Sequence, residues 1–297
     1  MSKRRIVLIQ GILLYALIAS APFFLCSADP PKVNKDSLAL ATADWNWKKT
    51  DSRRGSNVEY GYAKINMFGG IQSIAIVRYP SGRCKTAIID AEGAKASSTS
   101  NIAIGNKAIA AINGSYFDMK KLVPVTYIKV DGKVLGKTVG NDDSRTNGIV
   151  AVKGRCGHGI SIHATDSAIP ARANRFRSAI ASGPMLLENG EMIQYAKGPK
   201  DGFFSKRHPR TILGYDDKGM VYMIVVDGRS AGNADGMTIA ELSETVHYLG
   251  LKDAINLDGG GSSTLWTKKA GVISHPSDNG KFDAYGERKV PNIIIAK

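Results

Sequence analysis

The sequence predicts a single α+β domain whose core is a largely antiparallel or mixed β-sheet with a few packed helices. Short apolar runs broken by turn dipeptides dominate from Val58 onward, which is typical of strands joined by tight turns. Helical spacing of apolar residues occurs in only two segments, and these do not alternate with strands as repeating βαβ units would. The apolar fraction of 43% and charged fraction of 22% are those of an ordinary globular protein.

Three hairpins are indicated by their turns. Asp131-Gly132 and Asn189-Gly190 tolerate the positive φ that two-residue hairpin turns require, and residues 216–219 form a longer loop of the same kind. The paired runs are 126–130 with 133–135, 185–188 with 191–193, and 211–215 with 220–226. Because hairpins join antiparallel strands, the sheet is expected to be substantially antiparallel.

Two helices are predicted. Residues 98–108 follow a Ser/Thr cluster that can cap them, and residues 239–249 place apolar side chains on one stripe at helical spacing. Thr238 and Glu241 have the spacing of a capping box, in which Glu241 accepts a hydrogen bond from the Thr238 amide.

The first 28 residues have the pattern of an export signal. Lys3, Arg4 and Arg5 precede an apolar run over residues 6–25, and small residues follow it. The run is about long enough to span a bilayer, so a retained anchor is the alternative. In either case we expect a secreted, periplasmic or cell-envelope protein. Residues 29–57 are interpreted as a tether or irregular lead-in, and residues 58–297 as the domain.

Cys84 and Cys156 remain if Cys26 leaves with the signal. This even count, in a compartment that permits disulfides, predicts a bridge between them. Two buried thiols are the alternative.

The charge balance favours anionic partners. The formal net charge is +14, and removal of the signal segment with its three basic residues leaves 37 of the 40 basic residues against 26 acidic ones. The basic residues are scattered and form no recognition-helix or zinc-finger pattern, so we expect no nucleic acid. Phosphate-bearing glycans and anionic cell surfaces are the favoured partners.

The strongest candidate site is formed by two strands that each end in Asp-Gly. Asp227 follows the apolar residues 222–226, and Asp258 follows residues 254–257. An acid at the exit of a buried strand is held rigidly while its glycine lets the backbone turn, and pairs of such acids serve glycoside cleavage. Glu241 is a further candidate acid, because its helix begins ten residues after Arg229. The alternative for a single Asp-Gly is a plain turn.

The run Gly259-Gly260-Gly261 indicates a close approach by a ligand or another backbone, since three glycines are costly to order. Its amides could cradle an anion, and the hydroxyls of Ser262 and Ser263 could donate to phosphate or sugar oxygens. A serine nucleophile is disfavoured because the second glycine of Gly-x-Ser-x-Gly is missing. Residues 132–138 look like a phosphate-binding loop but have three residues, not four, between the glycines.

Arg210 and Arg229 are the best candidates for binding an anion, because a guanidinium matches phosphate oxygens bidentately. Asn113 begins a polar cluster at the exit of a third apolar run. The five histidines are dispersed and no zinc site is expected. No cofactor is required by the sequence; oxygen ligands would admit a divalent cation such as Ca²⁺, although no loop has EF-hand spacing.

Several of these segments resemble, in order and spacing, the phosphodiester glycosidase family. They are residues 111–117, 208–211, 226–229 and above all 254–264, with residues 276–278 and 288–290 as further matches. The resemblance runs from about Ile71 to the C-terminus. It implies hydrolysis of a sugar-1-phosphodiester to free sugar and a phosphomonoester. The positions that match the family's motifs are Asn113, Arg210, Asp227, Thr238, Glu241, Asp258 and Ser262.

The hypothesis that follows is that Arg210, Arg229 and the glycine amides bind the phosphodiester while Asp258 or Asp227 acts at the anomeric carbon. Two other classes stay open: a module that binds phosphoglycans without cleaving them, and a phosphodiesterase that cuts P–O instead of C–O.

Overall fold

The computed structural model of the chain describes residues 34–50, 57–91, 96–139, 145–154, 157–165, 171–195 and 202–297. Residues 34–297 belong to one compact unit. The interpreted signal segment and Cys156 lie outside the described residues, so the export signal and the Cys84–Cys156 bridge stay predictions. Cys84 itself is buried, with its Sγ 3.2 Å from the Lys297 carbonyl oxygen.

Neighbouring strands pair antiparallel throughout the described residues, as the hairpin signals predict. The strands are β1 (Lys48–Lys49), β2 (Glu59–Met67), β3 (Gly70–Pro80), β4 (Thr86–Asp90), β5 (Ala110–Asn113), β6 (Phe117–Asp118), β7 (Val123–Pro124), β8 (Ile128–Val130), β9 (Lys133–Gly136), β10 (Gly148–Val152), β11 (Ile160–Ala164), β12 (Ala179–Ser182), β13 (Met185–Glu188), β14 (Glu191–Met192), β15 (Arg210–Tyr215), β16 (Met220–Val226), β17 (Asp253–Asn256), β18 (Leu265–Thr267), β19 (Gly271–Val272) and β20 (Asn292–Ala296).

The strands form three main sheets. The largest has the order β1-β2-β3-β16-β15-β17-β13-β14, and the two five-stranded sheets have the orders β11-β10-β12-β8-β9 and β19-β18-β5-β20-β4. Strands β6 and β7 form a separate hairpin. The predicted α+β class is confirmed.

The largest sheet is buried on both faces, which explains why its central strands are continuous apolar runs instead of alternating ones. Leu213 and Val225 point into a core shared with residues of both smaller sheets. Ile212 and Ile224 point to the opposite face, which packs against helices.

Three α-helices occur in the described residues: α1 (Lys35–Ala41), α2 (Thr99–Gly105) and α3 (Ile239–Tyr248). In the same residues, two short 3-10 helices cover Ala171–Arg175 and Gly260–Ser262. Ser98 caps α2, which ends before the predicted residue 108. Helix α3 begins with the predicted capping box and buries its apolar stripe. None of these helices is long and apolar enough to cross a membrane.

Part of the segment that we interpreted as a tether or irregular lead-in is regular structure. Leu40 of α1 is buried in the core beside α3, and the Asp36 carboxylate accepts a hydrogen bond from the Phe68 amide at 2.8 Å. Strand β1 extends the largest sheet by pairing with β2. Residues 34–50 therefore pack on the same core as the rest of the unit.

Candidate active site

A cleft of about 270 Å³ opens where β15 begins and β17 ends. These two strands are antiparallel neighbours, and β16 ends beside the start of β15, so three polar strand ends meet at one edge of the sheet. The residues that line the cleft are Tyr116, Arg145, Phe203, His208, Pro209, Arg210, Arg229, Asp258, Gly259, Gly260 and Arg288. Four arginines and one aspartate thus line the same space.

Asp258 is the carboxylate of the cleft and is half-buried. Its main chain is fixed from both sides, because its amide donates to the Gly114 carbonyl at 3.0 Å and its own carbonyl accepts from Asn113 Nδ2 at 2.7 Å. These bonds tie the end of β17 to the end of β5. Asp258 is therefore held by two strands of different sheets.

The glycine run lets other groups approach the backbone closely. A Cβ on Gly259 would lie 2.7 Å from the Pro209 carbonyl oxygen, and one on Gly260 would lie 3.0 Å from Arg229 Nη2. Gly260 also has φ +63°, a conformation that favours glycine. A Cβ on Gly261 would lie 2.5 Å from both Arg288 Nη2 and Asp278 Oδ1. The run therefore makes room for two guanidinium groups.

One of the three glycine amides that the sequence predicts as an anion cradle is bonded within the protein, because Gly260 N donates to the Pro209 carbonyl. The amides of Ser262 and Ser263, which follow the run, donate to the carbonyls of Gly259 and Gly260. The anion cradle formed by the run stays a prediction.

Arg210 supplies charge from a buried position. It is 1% exposed, and its Nε donates to Met237 O at 2.9 Å while Nη2 donates to Phe203 O at 2.6 Å. Burial lowers the pKa of Arg210 to about 10, so the guanidinium remains protonated at neutral pH. The bonds to carbonyls fix its position without neutralising it.

The other three arginines surround the cleft more openly. Arg229 is exposed, with φ +59°. Arg288 is oriented by Asp278, whose Oδ1 accepts from Nε at 2.9 Å. The Arg145 guanidinium lies 5.0 Å from the centre of the Phe203 ring, and that of Arg210 lies 4.9 Å from the same ring.

Tyr116 is a neutral hydrogen-bonding group in the cleft wall. Its hydroxyl donates to Gly183 O at 2.5 Å and accepts from Asn256 Nδ2 at 3.0 Å. Burial, and then the nearby Asp258 carboxylate, raise the pKa of Tyr116 far above its ordinary value. The phenol therefore stays protonated.

Asp227, the predicted partner of Asp258, does not line the cleft. It is 1% exposed and accepts three hydrogen bonds: from Ser73 Oγ at 2.6 Å, from the His275 amide at 2.7 Å and from His275 Nδ1 at 2.8 Å. The His275 ring stacks on Phe282 at 3.8 Å. Asp227 thus fixes the start of the segment that carries Asp278 and Arg288.

Glu241 and Thr238 also lie outside the set of cleft-lining residues. Glu241 accepts from Arg207 Nε at 3.1 Å and from the Thr238 amide at 2.9 Å, and Thr238 Oγ1 accepts from the Glu241 amide at 3.2 Å. Burial raises the pKa of Glu241, but the Arg207 and Thr238 bonds outweigh it and lower the pKa overall. Glu241 is therefore an anchored anion in the first turn of α3.

The predicted polar ligands Asn113, Ser262 and Ser263 are buried behind the cleft. Asn113 Oδ1 accepts from Thr211 Oγ1 at 3.0 Å and from the Thr264 amide at 3.1 Å. Ser263 Oγ lies 3.1 Å from Thr211 Oγ1, and Ser262 Oγ has no hydrogen-bond partner within the described residues. Asn113 and Ser263 join strand ends and do not line the cleft.

Six cleft-lining residues were not among the predicted site residues: Tyr116, Arg145, Phe203, His208, Pro209 and Arg288. Tyr116 belongs to the polar cluster after β5, and His208, Pro209 and Arg288 lie in segments that carry the family resemblance, so these four had a local signal. Arg145 and Phe203 had none. The described residues contain no group of three or more His, Cys, Asp or Glu side chains that could hold a metal ion.

Residues 106–297 match the model of the phosphodiester glycosidase family. Because this match covers more than half of the chain, the chain belongs to that family, as the resemblance implied. Similar proteins include the N-acetylglucosamine-1-phosphodiester alpha-N-acetylglucosaminidases of Mus musculus and Homo sapiens, each 30% identical over 104 residues. These matches cover 34% of this chain and 20% of each relative, so the chain matches about a fifth of the length of these curated relatives.

Solved structures share the fold. The catalytic domain of zebrafish N-acetylglucosamine-1-phosphodiester alpha-N-acetylglucosaminidase, auto-inhibited by its pro-peptide, has a TM-score of 0.63 at 21% identity, covering 85% of this chain and 87% of that one. A hypothetical protein from Synechocystis has a TM-score of 0.60 at 16% identity, covering 80% and 62%. At these identities the likeness concerns the fold alone.

Proposed function

We propose that the chain is an exported hydrolase that cleaves a sugar-1-phosphodiester between the anomeric carbon and its oxygen, releasing free sugar and a phosphomonoester. Membership of the phosphodiester glycosidase family supports the reaction class. The observation that carries the proposal is the composition of the cleft, which is lined by one aspartate and four arginines. The names of the similar proteins suggest an N-acetylglucosamine-1-phosphodiester, with the aglycone part of a phosphate-bearing glycan.

The arginines bind the phosphodiester in this proposal. A diester carries one negative charge, and guanidinium groups match its oxygens with charge-assisted hydrogen bonds. Arg229 and Arg288 approach Gly260 and Gly261 closely, and the buried Arg210 contributes a positive charge whose position is fixed by hydrogen bonds. In this proposal the bound phosphate lies beside Asp258.

Asp258 then acts at the anomeric carbon. Glycoside cleavage passes through a transition state with positive charge on the sugar ring, which a nearby carboxylate stabilises, either by attack on the carbon or by activating water. The C–O bond breaks and its electron pair stays on the phosphate oxygen. Water supplies the hydroxyl of the free sugar, and its remaining proton passes to the solvent.

The leaving group explains why a second carboxylic acid is unnecessary. An ordinary glycosidase must protonate an alkoxide, whereas a phosphomonoester has a second pKa of about 6 and departs as a dianion. The four arginines stabilise the second charge as it develops. The site therefore replaces the usual proton donor with cations.

Hydrolysis of an N-acetylglucosamine-1-phosphodiester in ¹⁸O-labelled water tests this proposal. Label in the released sugar is the expected result, because it reports C–O cleavage. Label in the phosphate would assign a phosphodiesterase that cuts P–O. Binding of the diester without any product would assign a phosphoglycan-binding module.

Export is a separate part of the proposal and rests on residues 1–28. If that segment is a cleaved signal, the protein recovered from outside the cytoplasm begins near Asp29, which N-terminal sequencing measures. Recovery of the intact N-terminus with the membrane fraction would indicate the retained anchor instead, and recovery from the cytoplasm would contradict export.

A further inference from the structure

One edge of the molecule carries most of the large apolar side chains that are exposed in the described residues. Eight such side chains are exposed, and five of them occur between positions 119 and 139. They are Met119, Val123, Val134, Leu135 and Val139. Met119 is 62% exposed and Val139 54% exposed. We name these five residues the apolar edge.

The residues of the apolar edge lie on two segments that are hydrogen-bonded to each other. Strand β9 pairs with β8, and beyond it the Val139 amide donates to the Val125 carbonyl at 3.2 Å. Val125 directly follows β7, whose hairpin with β6 has Met119 in its turn. Strand β9 is the outermost strand of its sheet within the described residues, so the edge has no covering strand there.

Exposed lysines are interspersed with these apolar side chains. They are Lys120, Lys121, Lys133 and Lys137. The two acids of the region are engaged locally: Asp118 accepts from the amides of Lys120 and Lys121, and Asp131 lies 3.6 Å from Arg177. The edge therefore presents apolar groups beside a net positive charge.

We propose that the apolar edge and its four lysines dock the protein onto an anionic lipid surface. Apolar side chains that enter the headgroup region beside lysines are the combination that binds such surfaces, and each lysine near the surface strengthens binding about fivefold. A second copy of the chain fits less well. Antiparallel pairing of two β9 strands would bring the lysines of the two copies together, and edge lysines are a known barrier to strand pairing.

The lipid surface would lie beside the cleft. Met119 Sδ is 3.8 Å from Nη1 of Arg288, which lines the cleft, and the carbonyl of the cleft residue Tyr116 accepts from the Val125 amide at 3.1 Å. Docking would therefore bring the cleft close to phosphodiesters carried at that surface. The docking itself does not depend on the proposed hydrolysis.

Sedimentation with vesicles of phosphatidylcholine, with and without phosphatidylglycerol, tests the proposal on the full chain. The readout is the binding gained when phosphatidylglycerol is present, because any binding through residues 6–25 is common to all variants. Lys133→Glu combined with Lys137→Glu should weaken the binding to phosphatidylglycerol vesicles at least about tenfold. Leu135→Ser combined with Val139→Ser should weaken it severalfold.

Matched controls make the same chemical changes elsewhere on the surface. Lys48→Glu with Lys49→Glu reverses two exposed lysines of β1, and Ile104→Ser removes a side chain of α2 that is 60% exposed. Equal loss in controls and edge variants, or equal binding to both kinds of vesicle, would overturn the proposal. A dimer in analytical ultracentrifugation that Leu135→Ser with Val139→Ser dissociates, without loss of vesicle binding, would assign the edge to a second copy instead.

Discussion

Asp227 and Asp258 stand in the same local setting and have different surroundings in the fold. Each comes after a buried strand and before a glycine. Asp258 lines the cleft, whereas Asp227 is buried and accepts hydrogen bonds from Ser73 and His275. The cleft region contributes one carboxylate and several cations, and the region behind it uses its polar groups to hold segments in place.

This difference between the two aspartates shows how the residues that line the cleft are held in position. Asp258 and Arg288 face the cleft from segments far apart in sequence, and each is fixed by a buried residue that does not line it. Asn113 bonds the Asp258 main chain, and Asp227 anchors the segment that begins at His275 and carries Arg288. The residues that line the cleft and the residues that hold them in place are therefore separate.

The largest expected effect is on turnover in Asp258→Asn. The neutral amide cannot stabilise positive charge at the anomeric carbon, so kcat on a sugar-1-phosphodiester should fall by about a thousandfold. The free energy of unfolding should stay within about 0.5 kcal/mol of the parent. Asp217→Asn is the matched control, since its side chain is 81% exposed outside the cleft. Undiminished turnover in Asp258→Asn would remove Asp258 from the chemistry.

Asp227→Ala tests whether the buried Asp227 stabilises the fold. It leaves the buried donors of Ser73 and His275 without their acceptor, so the free energy of unfolding should fall by about 3–5 kcal/mol, measured by denaturant titration. The milder Asp227→Asn keeps an acceptor oxygen, so its free energy of unfolding should fall by less than that of Asp227→Ala. If Asp227→Asn instead abolished turnover with full stability, Asp227 would take part in the reaction and the contrast with Asp258 would fail.

Arg288→Gln should weaken binding of inorganic phosphate, the simplest analogue of the proposed phosphomonoester product, by about tenfold in calorimetric titration. The reason is the loss of one charge-assisted hydrogen bond to the anion. Arg83→Gln removes an equal charge from an exposed position and should leave the affinity unchanged. Equal losses in the two variants would mean that net charge, and not the cleft, attracts phosphate.

Two glycine substitutions separate the steric roles within the run. Gly259→Ala would place a Cβ 2.7 Å from the backbone oxygen of Pro209 and should cost about 1–3 kcal/mol of stability. Gly261→Ala meets the flexible ends of Arg288 and Asp278, so it should cost less stability but weaken phosphate binding severalfold by displacing Arg288. Thermal unfolding and phosphate titration of both variants give the comparison, and the reverse pattern would contradict it.

The smallest expected effect is on the pH dependence of stability, through Glu241. Its pKa is lowered in the folded protein from the ordinary value of 4.5, so its ionised form contributes stability above that value, and this contribution is lost as the pH falls through the folded pKa. Glu241→Gln should therefore destabilise the protein at pH 7, and the difference from the parent should shrink on acidification. Urea titrations of both proteins across this range measure it. A difference that is independent of pH would contradict the assigned ionisation.

Local sequence signals were reliable where the deciding contacts are local. The turns at Asp131-Gly132 and Asn189-Gly190 adopt positive φ between paired strands, and Thr238 and Glu241 form the capping box across one helical turn. In each case the residues that stabilise the element lie within a few positions of one another. Backbone sterics and neighbouring hydrogen bonds therefore determine the outcome.

The sequence by itself determined the α+β class, the strand ends that carry Asp227 and Asp258, and the family to which the chain belongs. Only the tertiary structure decided which aspartate lines the cleft, because that depends on His275, 48 positions from Asp227, and on Asn113, 145 positions from Asp258. It also brought Arg145 and Phe203 into the cleft, for which no local pattern exists. Strand ends can be predicted from a short window, but whether they face solvent or protein depends on segments that fold back from far along the chain.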